Sequence, residues 1–67
     1  MISIYLTDDA DLSQDAVDAV NDMQALFGVR GKYTANFSEI IDFVKENSGE
    51  KIAQTIKAEH FLPSPNP

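Results

Sequence analysis

The sequence predicts a mostly α-helical domain with one short strand, in the order β-α-α, followed by a weaker third helix. Three observations predict it. Ile2-Ser3-Ile4-Tyr5-Leu6-Thr7 alternates strictly between apolar and polar residues, the two-residue period of a half-buried strand. Two later runs, 11–28 and 36–48, repeat their apolar residues at three and four positions, the period of a helix. Glycines follow both runs, and prolines at 63, 65 and 67 forbid helix at the far end.

Ile2, Ile4 and Leu6 point to one side of the strand, and Ser3, Tyr5 and Thr7 to the other. Asp8-Asp9-Ala10-Asp11 ends it with turn and cap chemistry. Asp11 with Gln14, or Ser13, caps the first helix. Leu12, Ala16, Val20, Met23 and Phe27 line its apolar side, flanked by Val17, Ala19 and Leu26, and Gly28 ends it. Gln14, Asp15, Asp18, Asn21 and Asp22 are left for water. Gly28 to Ala35 is a connector with two glycines.

The second helix has the clearest period, with Phe37, Ile40, Ile41 and Val44 on one face and Phe43 widening it. Asn36 and Glu39 are placed for a near capping box, and Gly49 for the stop. Residues 1–49 form the domain. Residues 50–67 form a weak C-terminal helix, Glu50 to Glu59, and an extended proline-rich tail beginning at Phe61-Leu62.

A 67-residue chain buries only about 60% of its unfolded surface. Such domains add disulfides, metals or a second subunit. With no cysteine there is no disulfide or thiolate metal site, a single histidine argues against zinc, and no cofactor is expected. Lys32-Tyr33-Thr34 is a candidate second strand, but it is short and runs into the helix cap; the single good strand then lacks a partner in its own chain, and unpaired strand edges are not left open. Pairing with its copy about a two-fold axis meets both needs, so a homodimer is expected.

A strand shared between two chains, then two helices, resembles the ribbon-helix-helix superfamily of small phage and plasmid DNA-binding proteins. Ile2-Ser3-Ile4-Tyr5-Leu6-Thr7-Asp8-Asp9-Ala10 is similar to the family's alternating strand and polar turn. Asn36-Phe37-Ser38-Glu39-Ile40-Ile41 is similar to the start of its second helix. The resemblance covers about residues 2–48. It implies an intermolecular two-stranded antiparallel ribbon docked in the DNA major groove. Ser3, Tyr5 and Thr7 would read base edges, and the amides around Asn36, Phe37 and Ser38 would hold a phosphate. Arg30 and Lys32, the only cations near that helix end without an adjacent acid, would supply the electrostatics. The function so implied is that of a repressor or an accessory factor.

Charge supports a second reading. All six acids of residues 1–28 are aspartates, with no Lys or Arg among them, and they account for the whole net charge of −6. Such a surface opposes DNA phosphates and suits a basic partner. The alternative is therefore an acidic protein-binding module, such as an antitoxin or a phage-encoded inhibitor of a host protein. It would engage its partner through the acidic face or the Phe61-Leu62 tail.

Asp9, Asp11, Ser13 and Asp15 fall at calcium-loop positions 1, 3, 5 and 7, but Gln14 and Val20 stand where that loop needs Gly and Glu. Nothing pairs a nucleophile with a base by spacing, His60 stands beside the tail, and no enzyme is expected. No leader pattern and no apolar run of membrane length is present. A cytoplasmic protein is expected.

Overall fold

Five residues near the N-terminus form the central strand of a three-stranded antiparallel sheet in the computed structural model, which describes residues 1–63. In chain order the elements are β1 (Ile2–Leu6), α1 (Gln14–Val29), β2 (Thr34–Ala35), α2 (Phe37–Ser48), α3 (Glu50–Gln54) and β3 (Phe61–Pro63). A 3₁₀ turn, Ala58–His60, leads into β3. The predicted β-α-α order is present. Two further strands and a shorter third helix are added to it.

The sheet order is β2-β1-β3. Ile2 and Ser3 face Ala35 and Thr34 on one side, and Ile2 and Leu6 face Pro63 and Phe61 on the other. This corrects the expectation of a strand without partners. Both edges of β1 are engaged within one chain, so a copy could form the expected two-fold ribbon only by displacing β2 or β3. β2 and β3 are two and three residues long, too short to show a period; Thr34, the end of the short candidate strand Lys32-Tyr33-Thr34, is the first residue of β2. Phe61–Pro63 is extended, as its proline requires, but it is a docked strand and not a tail. The rest of the expected tail, 64–67, lies outside the described residues.

The strict alternation of β1 also fails at one place. The register against β3 shifts between Ile2 and Leu6, and Ser3 and Ile4 are consecutively buried. The Ser3 hydroxyl accepts the Tyr5 N–H at 3.1 Å, a local bond that serves the backbone where a ladder is irregular. On the β2 side, Gln24 of α1 donates to the Ile4 carbonyl at 3.1 Å.

α1 starts at Ser13, whose hydroxyl accepts the Ala16 N–H at 3.2 Å. It passes through Gly28 and stops at Gly31, not at Gly28. Gly31 has φ 71°. The Lys32 N–H reaches the Phe27 carbonyl at 2.9 Å and the Gly31 N–H reaches that of Gly28 at 2.9 Å. This pair of bonds is a Schellman motif, which needs a left-handed residue at the Gly31 position. Its usual apolar contact is replaced by the Lys32 ammonium, 5.4 Å from the centre of the Phe27 ring.

The expected capping box of α2 does not form. Asn36 occupies the N-cap position without a side-chain bond to the helix, and the Glu39 carboxylate pairs with Lys32 instead. Gly49, at φ 95° and ψ 158°, joins α2 to α3 in a backbone region open only to glycine. α3 ends at Gln54, short of the expected Glu59, and the Thr55 hydroxyl donates to the Ile52 carbonyl at 2.7 Å. The chain then turns so that Ile56 and Phe61 both enter the core.

Ile4, Val20, Met23, Ile40 and Val44 are the largest fully buried side chains. Phe27, Ala16, Ala19, Ala35, Ala53, Ile56 and Phe61 complete the core, and Ile2, Leu6, Leu12, Phe37 and Ile41 pack around its margin. Two edge-to-face aromatic pairs tie it together. Phe27 meets Phe43 at 5.7 Å between ring centres, and Phe37 meets Phe61 at 6.5 Å. The second contact joins α2 to β3.

Candidate functional site

The fold separates the residues expected to contact DNA. Ser3 is buried, at 6% exposure, with its hydroxyl committed to Tyr5. It is not a reader on an outer face, because the irregular register turns it from solvent. Tyr5 is exposed at 42%. Thr7 is half-buried, its N–H bonded to the His60 carbonyl at 2.8 Å. Arg30 is exposed at the end of α1. Lys32 is not an uncompensated cation: Glu39 neutralises it, and Phe27 lies beneath it. Asn36 and Ser38 are exposed at the start of α2, while Phe37 packs at the margin of the core.

A different face gathers what the sequence left unassigned. Helical rotation places Asp15, Asp18, Asp22, Ala25, Leu26 and Val29 within an arc of about 100°, on the side of α1 away from its buried row, Ala16, Val20, Met23 and Phe27, with buried Ala19 at the border beside Leu26. All six are exposed. Leu26, expected beside the core, is 51% exposed, and Val29 is 88% exposed. The arc is acidic over its first two turns and apolar over the last. Gln14 donates to Asp18 at 2.9 Å. Among the described residues the one ion pair is Lys32–Glu39, so none of these three aspartates is paired. The signal for Leu26 was present in the sequence: it lies four residues after Asp22 and three before Val29, the spacing of neighbours on one face.

A shallow open cleft of about 240 Å³ lies before α1, lined by Thr7, Asp9, Ala10, Asp11, Glu59 and His60. His60 Nδ1 accepts the Lys57 N–H at 3.0 Å, which leaves Nε2 to carry the proton of the neutral ring. No group of three or more His, Cys, Asp or Glu side chains is placed to hold a metal ion among the described residues. In the calcium-like run, the Ser13 hydroxyl is the cap of α1. No described helix is long and apolar enough to cross a membrane.

No family model, no curated protein and no solved structure matches this chain.

Proposed function

We propose that this protein is an acidic protein-binding module whose outer α1 face docks on a cationic surface of another protein. The observation that carries the reading is the joint presence of Asp15, Asp18 and Asp22 with exposed Leu26 and Val29 on one arc of one helix. Leu26 and Val29 are neighbours three residues apart on one helix face, so they expose one joined apolar patch. Unpaired like charges along a helix cost tenths of a kcal/mol each through repulsion, and a basic partner relieves that cost. Charge would steer the encounter, and burial of Leu26 and Val29 would hold the complex. The gain from each exposed ion pair is small, about 0.2–1 kcal/mol, so the apolar end is needed for affinity. An antitoxin or an inhibitor that occupies its target fits this description.

The reading is preferred to DNA recognition by a ribbon shared between two copies. That function needs an open strand edge, outward Ser3 and free Lys32. Here β1 has neighbours on both sides, Ser3 is buried and Lys32 is paired. Of the expected set, Tyr5, Arg30, Asn36 and Ser38 remain exposed with the chemistry to touch a phosphate or base.

The test is an NMR titration of labelled protein with two probes at ~50 mM salt, where attraction to phosphate is strong. One probe is a mixed-sequence DNA duplex and the other a lysine- and leucine-bearing amphipathic peptide. Peptide-induced shifts confined to residues 15–29, with none from the duplex, are expected. Salt-sensitive duplex shifts centred on Tyr5, Arg30 or the start of α2 at Asn36 and Ser38 would overturn the reading.

A further inference from the structure

We propose that the turn before β3 is a proton-operated latch, which His60 holds closed only while its Nδ1 is unprotonated.

His60 is tied to Lys57 twice. Its backbone N–H donates to the Lys57 carbonyl at 3.0 Å, and its ring Nδ1 accepts the Lys57 N–H at 3.0 Å. The second bond is the return half of a capping box, in which the third residue of a helical turn reaches back to the N-cap N–H. Glu or Gln usually makes that bond. Histidine makes it only with a free lone pair on Nδ1. An imidazolium carries a proton there and meets the Lys57 N–H donor to donor. The latched turn therefore cannot take up a proton at Nδ1.

β3 depends on this turn because its own ladder is poor. Pro63 has no N–H, and the Phe61 N–H is committed to the Ala58 carbonyl. Leu62 is left as the one residue of β3 with an N–H to offer β1. The next bond to β1 comes from the turn itself, where the His60 carbonyl accepts the Thr7 N–H at 2.8 Å. Buried Phe61 anchors the strand on the core side, and the turn closed by His60 sets the path of the backbone that enters it.

The surroundings offer the protonated ring another place. Asp9 and Asp11, from the connector between β1 and α1, and Glu59, from the turn, line the cleft with His60. These three carboxylates attract an imidazolium. The exposed ammonium of Lys57 is the one cation of the turn and opposes them through solvent. A proton thus binds the unlatched turn and not the latched one, and falling pH raises the unlatched population by mass action. Unlatching loosens His60 to Pro63 and uncovers the edge of β1 that β3 shields, while the helical core stays closed.

The experiment is NMR of the full chain between about pH 7.5 and about pH 5.5, a range that spans ordinary histidine titration. Ring nitrogen shifts report the tautomer, and at the upper pH the proton should sit on Nε2 with Nδ1 bare. Amide hydrogen exchange, corrected for intrinsic rates, reports the latch. Protection of Thr7 and Leu62 should fall roughly two- to tenfold on acidification, the factor for one hydrogen bond, while that of Val20 and Met23 in α1 holds. His60→Gln keeps the acceptor without titrating, so its Thr7 and Leu62 should stay protected at both ends of the range. A ring protonated on Nδ1 at the upper pH overturns the latch, as does unchanged protection in the wild type. A fall shared by Val20 and Met23 is global unfolding and also overturns it. An equal fall in His60→Gln assigns the pH dependence to the carboxylates and has the same consequence. The ring shifts and wild-type exchange decide alone should the glutamine variant not fold.

Discussion

Replacing Phe61 by alanine tests whether the C-terminal segment is a working third strand. The side chain is 4% exposed and stands edge-on to Phe37. A buried phenylalanine removes roughly 150 Å² or more from water, and at about 25 cal/mol per Å² this is near 4 kcal/mol. Measured Phe→Ala changes in cores cost about 3–5 kcal/mol. A 67-residue domain has a total stability on the order of 3–10 kcal/mol. Phe61→Ala should therefore leave the protein marginal or unfolded. Phe61→Leu should retain the fold with a smaller loss. Leu62→Ala, at a residue 43% exposed, should cost below about 1 kcal/mol. The assay is urea unfolding followed by circular dichroism at two protein concentrations a hundredfold apart. Because both neighbours of β1 come from the same chain, the midpoints should not move with concentration. A loss below roughly 0.5 kcal/mol for Phe61→Ala, the level of a surface change, would show that β3 contributes nothing. A rising midpoint with concentration would return the shared strand to consideration.

The other expectations are read by the same unfolding assay. Ser13→Ala should cost about 1 kcal/mol as a lost cap, whereas Asn36→Ala should cost clearly less, since the Asn36 side chain makes no cap bond; equal losses would contradict the two assigned caps. Gly49→Ala should cost about 1–3 kcal/mol, because the backbone there is closed to side chains; a neutral result would mean that α2 and α3 meet differently. Ile40→Ala should cost about 2–5 kcal/mol and more than Ile41→Ala, since Ile40 is fully buried and Ile41 lies at the margin; the reverse order would mean that α2 is rotated. Glu39→Gln should cost below about 1 kcal/mol, because its pair with Lys32 is partly exposed, and a larger loss would assign the pair a structural role it lacks here.

The long elements were legible because their periods are long. α1 buries a row repeated over three turns, α2 repeats Phe37, Ile40, Ile41 and Val44 over two, and the letters of β1 alternate over five residues. What failed was local and non-repeating. Two residues of β2 and three of β3 carry no period, so the strand they flank read as unpaired, and dimerisation was the economical answer. Gly28 and Gly31 are equal as letters, and only the pattern of bonds to Phe27 and Gly28 decides which one stops α1. Glu39 had two suitors, its own helix N-terminus and Lys32, and tertiary packing chose the second. For the binding face, the aspartate stripe was visible as composition. Leu26 flanks the apolar row of α1, and its spacing from Asp22 and Val29 puts it on the outer face, where it is exposed.

The pairing of Ile2 with Pro63 also has a consequence during synthesis. A ribosome adds about 5–20 residues each second, so the edge of β1 that β3 covers stays open for roughly 3–12 s after the strand itself is made. An open, apolar, β-branched edge is a template for pairing with other nascent chains. Asp8, Asp9 and Asp11 directly follow it, and two chains aligning their first strands in parallel would bring these carboxylates together. Charges so placed oppose that parallel pairing while the last neighbour of the strand is still to be made.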